Sequence, residues 1–528
     1  MFCNQCEQTA KGLACTTLGV CGKKAPVAAL QDELVYMLRH LAAQVLKKAS
    51  SGAELGDVCD FMYNALFCTL TNVNFDETAL RKVQAETLER IRALGAEDAQ
   101  ADLTAYWAAR AEASIRPDRF SPDANVASAM QIVLFGLKGV AAYADHAARL
   151  GQRDPEVCLA LCRGLVAGSQ WDGESRDLEG WLALALECGK TNLRAMELLE
   201  TGNTETFGHP VPTPVSLGQR KGKAILISGH DLPDLLALLE QTEGTGIQVY
   251  THGEMLPAHA YPRLKAFGHL AGHYGTAWQN QQKELPVFPG PVLFTTNCIQ
   301  DPRDYGHKVF TSGNVGWPGC THCTGRDFSA VIAKAQEMEG FSQDVPGKQV
   351  LTGFGRKTVL EAAPLVLDAV ARGDLRHIFL VGGCDGARPG RNYYTEFVEK
   401  TPPDTLVLTL ACGKFRFFDK DLGQLGELPR LLDMGQCNDA YAAIQVAVAL
   451  ADALKCTVND LPLTLVLSWY EQKAVSILLT LLALGVKNIW LGPSLPAFVT
   501  PDILDVLVER WNIRPVSEVD ADMAAMLG

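Results

Sequence analysis

At residues 209–218 the run HPVPTPVSLG carries three prolines, and the apolar pattern changes in kind across it. Proline lacks an amide proton and fixes φ, so neither a helix nor a central strand continues through such a segment. On its N-terminal side, residues 26–200 repeat apolar side chains at three-to-four spacing, the period of a half-buried helix. Pro26 stands where a first helical turn tolerates it, VAALQDELVYMLRHLAAQVLKKAS follows, and Ser51-Gly52 ends the pattern. Similar patterns over 77–95, 127–150, 155–166 and 178–200 make this half all-α. On the C-terminal side, short β-branched runs alternate with helices: AILISG, IQVYT, PVLFTT, HIFLVG, TLVLTL, PRLLDM, LTLVLS and NIWLG. Such alternation implies parallel sheets with right-handed crossovers. A second boundary near 350 divides two α/β units, which gives expected domains 1–216, 217–352 and 353–528. The expected class is thus multidomain α plus α/β.

Composition narrows the function. A net charge of −13 argues against binding a phosphate backbone, so no nucleic-acid partner is expected. The longest uninterrupted apolar run, SILLTLLALGV at 476–486, is far short of the ~20 residues that cross a bilayer. The opening MFCNQCEQTAKG has no charged-then-apolar leader, so a cytoplasmic protein with no membrane partner is expected. Sixteen cysteines then become informative, because a chain of 528 residues does not need stapling by disulfides. Clustered cysteines in such a chain more often bind metal or carry out redox chemistry. Five of them (Cys59, Cys68, Cys158, Cys162 and Cys188) fall on predicted helices and read as small core residues. Cys158 and Cys162 share a helix face, but no further ligand lies nearby. Cys188-Gly-Lys-Thr is not a phosphate loop, because Leu184 stands where that motif needs its first glycine.

Two constellations carry chemistry. In the first, Cys3-x2-Cys6-x8-Cys15-x5-Cys21, glycines at 12, 19 and 22 let the chain turn around one small inorganic core. An iron–sulfur cluster fits this compact spacing; zinc and plain thiols compete with it on spacing alone. The second appears only on the strand map. His230 follows AILISG, Glu254 follows IQVYTHG, Cys298 follows VLFTTN and Cys384 follows HIFLVGG. Cys412 follows TLVLTLA, Cys437 follows RLLDMGQ and Glu471 follows LTLVLSWY. A single His or Glu after a strand is ordinarily a turn or cap group, and a single Cys is ordinarily core. Open parallel sheets, however, bind ligands beyond the carboxyl ends of their strands, and here the placement recurs seven times. Four thiolates suit sulfide-bridged iron, while one imidazole and two carboxylates suit harder, oxygen-bearing iron. Lys473 lies two residues past Glu471, either as a surface lysine or as a proton source beside the site. No G-x-G-x-x-G is present, so neither flavin nor NAD is expected, and electrons would come from a separate redox protein.

The segments MFCNQCEQTAKG…GVCGK, ISGHDL, YTHGEMLPAHAYP, TTNCIQ, VGGCDG…RNYYTE, ACGKFRF, DMGQCNDAY and WYEQKAV together resemble the hybrid-cluster (prismane, hydroxylamine reductase) proteins along the whole chain. The resemblance implies a helical-bundle domain and two Rossmann-like α/β domains in a monomer. It implies that Cys3, Cys6, Cys15 and Cys21 hold a 4Fe-4S cluster, members with a 2Fe-2S cluster having longer intervals. It also implies that His230, Glu254, Cys298, Cys384, Cys412, Cys437 and Glu471 hold a hybrid 4Fe-2O-2S cluster, with Lys473 counted beside them and a persulfide on Cys384. Two features depart from the pattern. Cys320 and Cys323 form a C-x-x-C outside the family's ligands, read as loop thiols or as an auxiliary redox dithiol. The chain also reads CDGAR where a charged residue is expected one position earlier.

The implied reaction is reduction of hydroxylamine to ammonia and water, within the chemistry of nitrosative stress. Electrons would be relayed from the N-terminal cluster, and His230, Glu254, Glu471 and Lys473 are the candidate proton carriers. Three other readings stand beside it: nitric oxide reduction to nitrous oxide at the same site, a carbon monoxide dehydrogenase, and a nitric oxide sensor or protein S-nitrosylating factor. A dehydrogenase of that kind would need nickel and a more cysteine-rich site than one containing Glu254 and Glu471.

Overall fold

The structure is a computed structural model that describes residues 1–50, 55–95, 114–388 and 390–528. Among the described residues six long helices build the N-terminal part: α1 (Ala25–Ala49), α2 (Gly56–Phe67), α3 (Glu77–Ala93), α4 (Ala124–Arg149), α5 (Pro155–Val166) and α6 (Leu178–Phe207). Asp76, Asp123, Asp154 and Asp177 cap α3, α4, α5 and α6, each carboxylate accepting amide hydrogens that the first turn leaves unpaired. Ser51 and Gly52, the expected stop after α1, lie outside the described residues. Helix α2 was not expected.

Helix α4 is buried without interruption from Ala127 to Ala148, as expected of a helix apolar on every face at the centre of a bundle. It is long and apolar enough to cross a bilayer, yet here it is wrapped in protein. No uninterrupted apolar run marks it in the sequence, because Lys138 and Asp145 break the pattern.

Two six-stranded sheets follow. The first contains β2 (Ala224–Ser228), β3 (Gln248–His252), β4 (Leu270–His273), β5 (Val292–Phe294), β6 (Val309–Ser312) and β7 (Thr321–Cys323), in the order β4-β3-β2-β5-β6-β7. The second contains β9 (His377–Gly383), β10 (Thr405–Thr409), β13 (Leu431–Asp433), β14 (Leu463–Ser468), β15 (Ile489–Gly492) and β16 (Arg514–Pro515), in the order β13-β10-β9-β14-β15-β16. All pairings within both sheets are parallel. Numbered within each sheet, both read 3-2-1-4-5-6, the doubly wound order in which the strand sequence reverses between the first and fourth strands. The same architecture therefore occurs twice without a visible sequence repeat. Two small antiparallel ribbons complete the strands. One pairs β1 (Thr213–Ser216) with β8 (Gln349–Thr352), where the chain enters and leaves the first α/β unit; the other pairs β11 (Gln424–Leu425) with β12 (Leu428–Pro429).

Glycines seat the second α/β unit against the bundle. A Cβ on Gly189 of α6 would meet the carbonyl oxygen of Leu479, and one on Gly139 of α4 would meet that of Gln472 at 2.5 Å. The helix Gln472–Ala483, which carries Lys473, therefore packs directly onto the bundle. Burial on both faces of the sheets, by their own helices and by the bundle, accounts for the near-continuous apolar runs of β2 and β10.

Two expectations about cysteines are corrected. Cys59 of α2 and Cys158 of α5 form a disulfide rather than standing as separate core thiols. Cys162, the other half of the suspected helix-face pair, instead lies 3.6 Å from the Met62 sulfur. Cys320 and Cys323 are not both loop thiols either, because Cys323 ends β7 at the edge of the first sheet and is buried.

Candidate metal centre

The N-terminal cysteine loop is folded back on itself. Cys3 and Cys15 exchange backbone hydrogen bonds, Cys3 N–H to Cys15 O at 3.1 Å and Cys15 N–H to Cys3 O at 2.8 Å. Gly12 and Gly22 take positive φ at the turns, at 69° and 89°, a conformation that costs other residues more. Cys6 and Cys15 are buried, while Cys3 and Cys21 are half-buried. Burial pushes the Cys6 thiol well above its usual range, and the neighbouring sulfurs of Cys21, Cys3 and Cys15 add to the effect. Four thiols crowded together, with the Lys23 ammonium near Cys21, suit a thiolate-ligated cationic core.

The seven strand-end residues converge on a second, deeper site. Each lies within four residues of the end of its strand. His230 and Cys298 follow β2 and β5, and Cys384 and Glu471 follow β9 and β14, so these four stand at the two points of strand-order reversal. Glu254, Cys412 and Cys437 come from the strands alongside. Ligand atoms of His230, Glu254 and Cys437 all lie within 4.8 Å of one another. Cys298 and Cys412 pack in the same cluster as Cys384, which also includes Cys6, Trp278 and Tyr470.

Hydrogen bonds fix the hard ligand types. His230 Nδ1 lies 2.8 Å from Thr296 Oγ1, and its Nε2 faces Lys473 Nζ at 3.2 Å and Glu254 Oε2 at 3.8 Å. Since the ammonium has only hydrogens to offer, Nε2 is the unprotonated nitrogen and Nδ1–H donates to the threonine, the tautomer a metal ligand needs. Glu254 Oε2 accepts from the Cys437 amide at 2.8 Å, whereas its Oε1 is buried with no partner. A buried carboxylate oxygen without a hydrogen-bond partner, on a side chain grouped with the His230 imidazole and the Cys437 thiol, is what a metal ligand looks like without its metal. Glu471 caps the helix Gln472–Ala483 through the Lys473 amide at 2.8 Å, and its Oε1 lies 3.8 Å from Lys473 Nζ.

The electrostatics follow from burial. Burial pushes the carboxyls of Glu254 and Glu471 up, with Lys414 and Lys473 respectively opposing it. Burial also drives the His230 imidazole well below its usual range, and the Lys473 ammonium adds to this. The Cys437 thiol is pushed up to about 12, again chiefly by burial. For Lys473 burial works against the charge, but Cys437 and Glu471 outweigh it and hold the ammonium protonated above its ordinary range. Lys473 is therefore not a surface lysine. It is the buried cation of the site, 1% exposed.

Several residues that sequence reasoning missed belong to this place. Tyr143 of α4 is fully buried, and its hydroxyl faces Cys437 with no conventional hydrogen-bond partner. A tyrosine on a largely apolar central helix was the available signal, since a buried phenol ordinarily finds a partner. Lys414 is fully buried, donating to Asp433 Oδ1 at 2.7 Å and Gly435 O at 2.8 Å behind Glu254. Trp278 and Tyr470 stack with ring centroids 4.1 Å apart, in one packed cluster with Cys6 and Cys384. Asp385, next to Cys384, accepts from Arg416 Nε at 2.8 Å. Arg391 reaches both Asp385 and Glu7, so ion pairs tie the two cysteine loops together.

Two doubly wound sheets facing a helical bundle, with thiols, an imidazole and carboxylates beyond the carboxyl ends of their strands, define a class of metal–sulfur protein. The chain belongs to the Prismane/CO dehydrogenase family, whose profile matches residues 1–524. Among curated proteins it is similar to "Hydroxylamine reductase" of Lawsonia intracellularis, 58% identical over 537 residues and covering 100% of both chains. It is also similar to the protein of the same name from Methanocella arvoryzae, 56% identical over 546 residues with 100% coverage of both. Among solved structures it resembles carbon monoxide dehydrogenase IV from Carboxydothermus hydrogenoformans, with TM-score 0.58, 16% identity and coverage of 97% of this chain and 89% of that one. A carbon monoxide dehydrogenase from Thermococcus sp. AM4 aligns with TM-score 0.57 and 18% identity, over 99% of this chain and 90% of that one. At such identities the structural likeness speaks for the fold alone.

Proposed function

We propose that the chain is a hydroxylamine reductase, catalysing NH2OH + 2e⁻ + 2H⁺ → NH3 + H2O. The observation that carries this reading is the meeting of His230, Glu254 and Cys437, with ligand atoms within 4.8 Å, in a site where Glu254 keeps a buried unpaired oxygen. The name shared by full-length relatives at 58% and 56% identity supports it. In this reading His230, Glu254, Cys298, Cys384, Cys412, Cys437 and Glu471 hold a hybrid 4Fe-2O-2S cluster, with a persulfide sulfur on Cys384. Cys3, Cys6, Cys15 and Cys21 hold a 4Fe-4S cluster that takes electrons from a separate redox protein. When bound, the hybrid cluster supplies electrons and a Lewis-acidic iron.

The chain does the rest. Burial excludes bulk water from the reacting centre, which strengthens every charge interaction there. Lys473 Nζ carries a proton between His230 Nε2 and Glu471 Oε1, within reach of a departing hydroxyl. Loss of that proton is made good through the neighbouring buried acids. The Tyr143 hydroxyl, buried against the Cys437 thiol, is placed to hold a small polar substrate.

A second reading, reduction of nitric oxide (2NO + 2e⁻ + 2H⁺ → N2O + H2O), is favoured by one feature. A cavity of about 240 Å³ counts exposed Val448 and Leu484 and buried Cys384 and Cys437 among its lining residues. Leucine, isoleucine, valine and alanine side chains make up most of the rest, a space suited to a small apolar gas.

Anaerobic assays of both substrates with reduced methyl viologen test the choice. Turnover of hydroxylamine supports the first reading, and turnover of nitric oxide alone supports the second. Metal analysis on the same material should give about eight irons with acid-labile sulfide and no nickel. Nickel in the preparation would count for the dehydrogenase reading instead.

A further inference from the structure

The proposed reaction consumes electrons that the chain does not generate, so a donor must reach the N-terminal cysteine loop; a docking face there rests on that reading of the function. Cys3 and Cys21 are the half-buried members of the N-terminal set, so electrons enter on their side of the loop. Of the four most exposed large apolar side chains among the described residues, three lie in this loop: Leu13 at 72%, Leu18 at 57% and Val20 at 56%. They fall within eight consecutive residues that also contain Cys15 and end next to Cys21. Scattered apolar residues on a surface mean little, but a group of them rimmed by charge marks a site of association.

The rim is basic. No Asp or Glu occurs from Gln8 to Leu30, although the chain as a whole carries −13. Lys11 and Lys24 are exposed on the loop. Exposed Arg388 joins them by donating through Nη2 to the Thr9 carbonyl at 3.2 Å. The net negative charge of the chain repels an acidic carrier, and this stretch without carboxylates offsets that repulsion locally.

We propose that Leu13, Leu18 and Val20, ringed by Lys11, Lys24 and Arg388, form the docking face for a small acidic electron carrier of the ferredoxin type. The apolar tips exclude water at the centre of a small, short-lived interface, and the cations steer the encounter. In each encounter one electron leaves the reduced iron–sulfur centre of the carrier, which is oxidised, and enters the group held by Cys3, Cys6, Cys15 and Cys21. Two encounters supply one hydroxylamine. The same apolar-and-basic character could engage an anionic lipid surface, but three loop tips offer little area to insert and the net charge of −13 opposes approach.

The test is stopped-flow reduction of the holoenzyme by a photoreduced acidic 2Fe-2S ferredoxin, followed by the electron paramagnetic resonance signal of the N-terminal cluster. The variants are L13S/L18S/V20S and K11E/K24E. The wild-type rate should fall as salt rises from about 50 to about 500 mM. It should fall at least about tenfold in each variant. Iron content and reduction by methyl viologen should be unchanged in both. A rate indifferent to salt and to both variants overturns the proposal. So does a wild-type protein that the ferredoxin cannot reduce, or one that binds phosphatidylglycerol vesicles through these residues. A protein that accepts ferredoxin electrons yet fails to turn over hydroxylamine would speak against the proposed reaction and uphold the docking face.

Discussion

The backbone N–H of Glu7 donates to the carbonyl oxygen of Tyr470 at 3.0 Å. Glu7 follows Cys6 and Tyr470 precedes Glu471, so one hydrogen bond joins the N-terminal cysteine loop to the deep site through a few backbone atoms. The Trp278 ring lies stacked on Tyr470 beside this link. Trp278→Leu should slow electron passage from the first cluster to the second at least about tenfold, with metal content unchanged. Freeze-quench electron paramagnetic resonance resolves the two clusters; unchanged kinetics would remove the aromatic pair from the route.

Glu254 contributes its free oxygen to the deep site alone. Glu254→Gln should lower hydroxylamine turnover by more than about a hundredfold while leaving the N-terminal cluster signal intact. Full activity in this variant would refute the assignment of Glu254 as a ligand.

Lys473 has no solvent route for its charge. Lys473→Met should cost at least about tenfold in kcat with a smaller change in KM, because the ammonium acts on the departing oxygen more than on the bound substrate. Steady-state kinetics with methyl viologen measure the split; a pure KM effect would assign Lys473 to binding only.

Gly189 permits the close approach of α6 to the helix that carries Lys473. Gly189→Ala should destabilise the protein by about 1–3 kcal/mol, since the new methyl meets backbone rather than a side chain able to move. Calorimetry would show a lower Tm, and an unchanged Tm would mean the helices separate at little cost.

His259 is buried, and burial lowers its pKa to about 4. The unfolded chain binds this proton near pH 6.5 and the folded one only near pH 4, so the unfolded state holds more protons between those values. Stability is therefore fully present above about pH 6.5 and declines as pH falls toward about 4. Urea midpoints of the anaerobic holoenzyme at pH 7 and pH 5 should differ, and His259→Gln should reduce that difference. An equal difference in the variant would assign the slope to other groups.

The sequence made the helical half, eight strands and the seven converging positions legible, because apolar period and strand-end placement are local properties. Strands β4, β6, β7 and β16 of the two sheets went unseen, as did helix α2. LAGH and VFTS are only four residues long, and THC carries cysteine and histidine where a strand signal needs branched or aromatic residues. The doubling of one strand order also left no trace, since topology is a property of crossovers rather than of residues. Cys59 and Cys158 are 99 residues apart, so their pairing depends on how α2 meets α5. Lys473 read equally well as a surface group, and only the packing of its helix onto α4 and α6 decides otherwise.

The apolar cavity whose lining includes Cys384 and Cys437 sorts visitors by size and polarity and by nothing else. Dioxygen matches nitric oxide in both respects, so a wall that admits one admits the other. Exposure to air thus reaches these two sulfurs from inside the fold, and a tightly folded exterior gives them no shelter from oxidative damage.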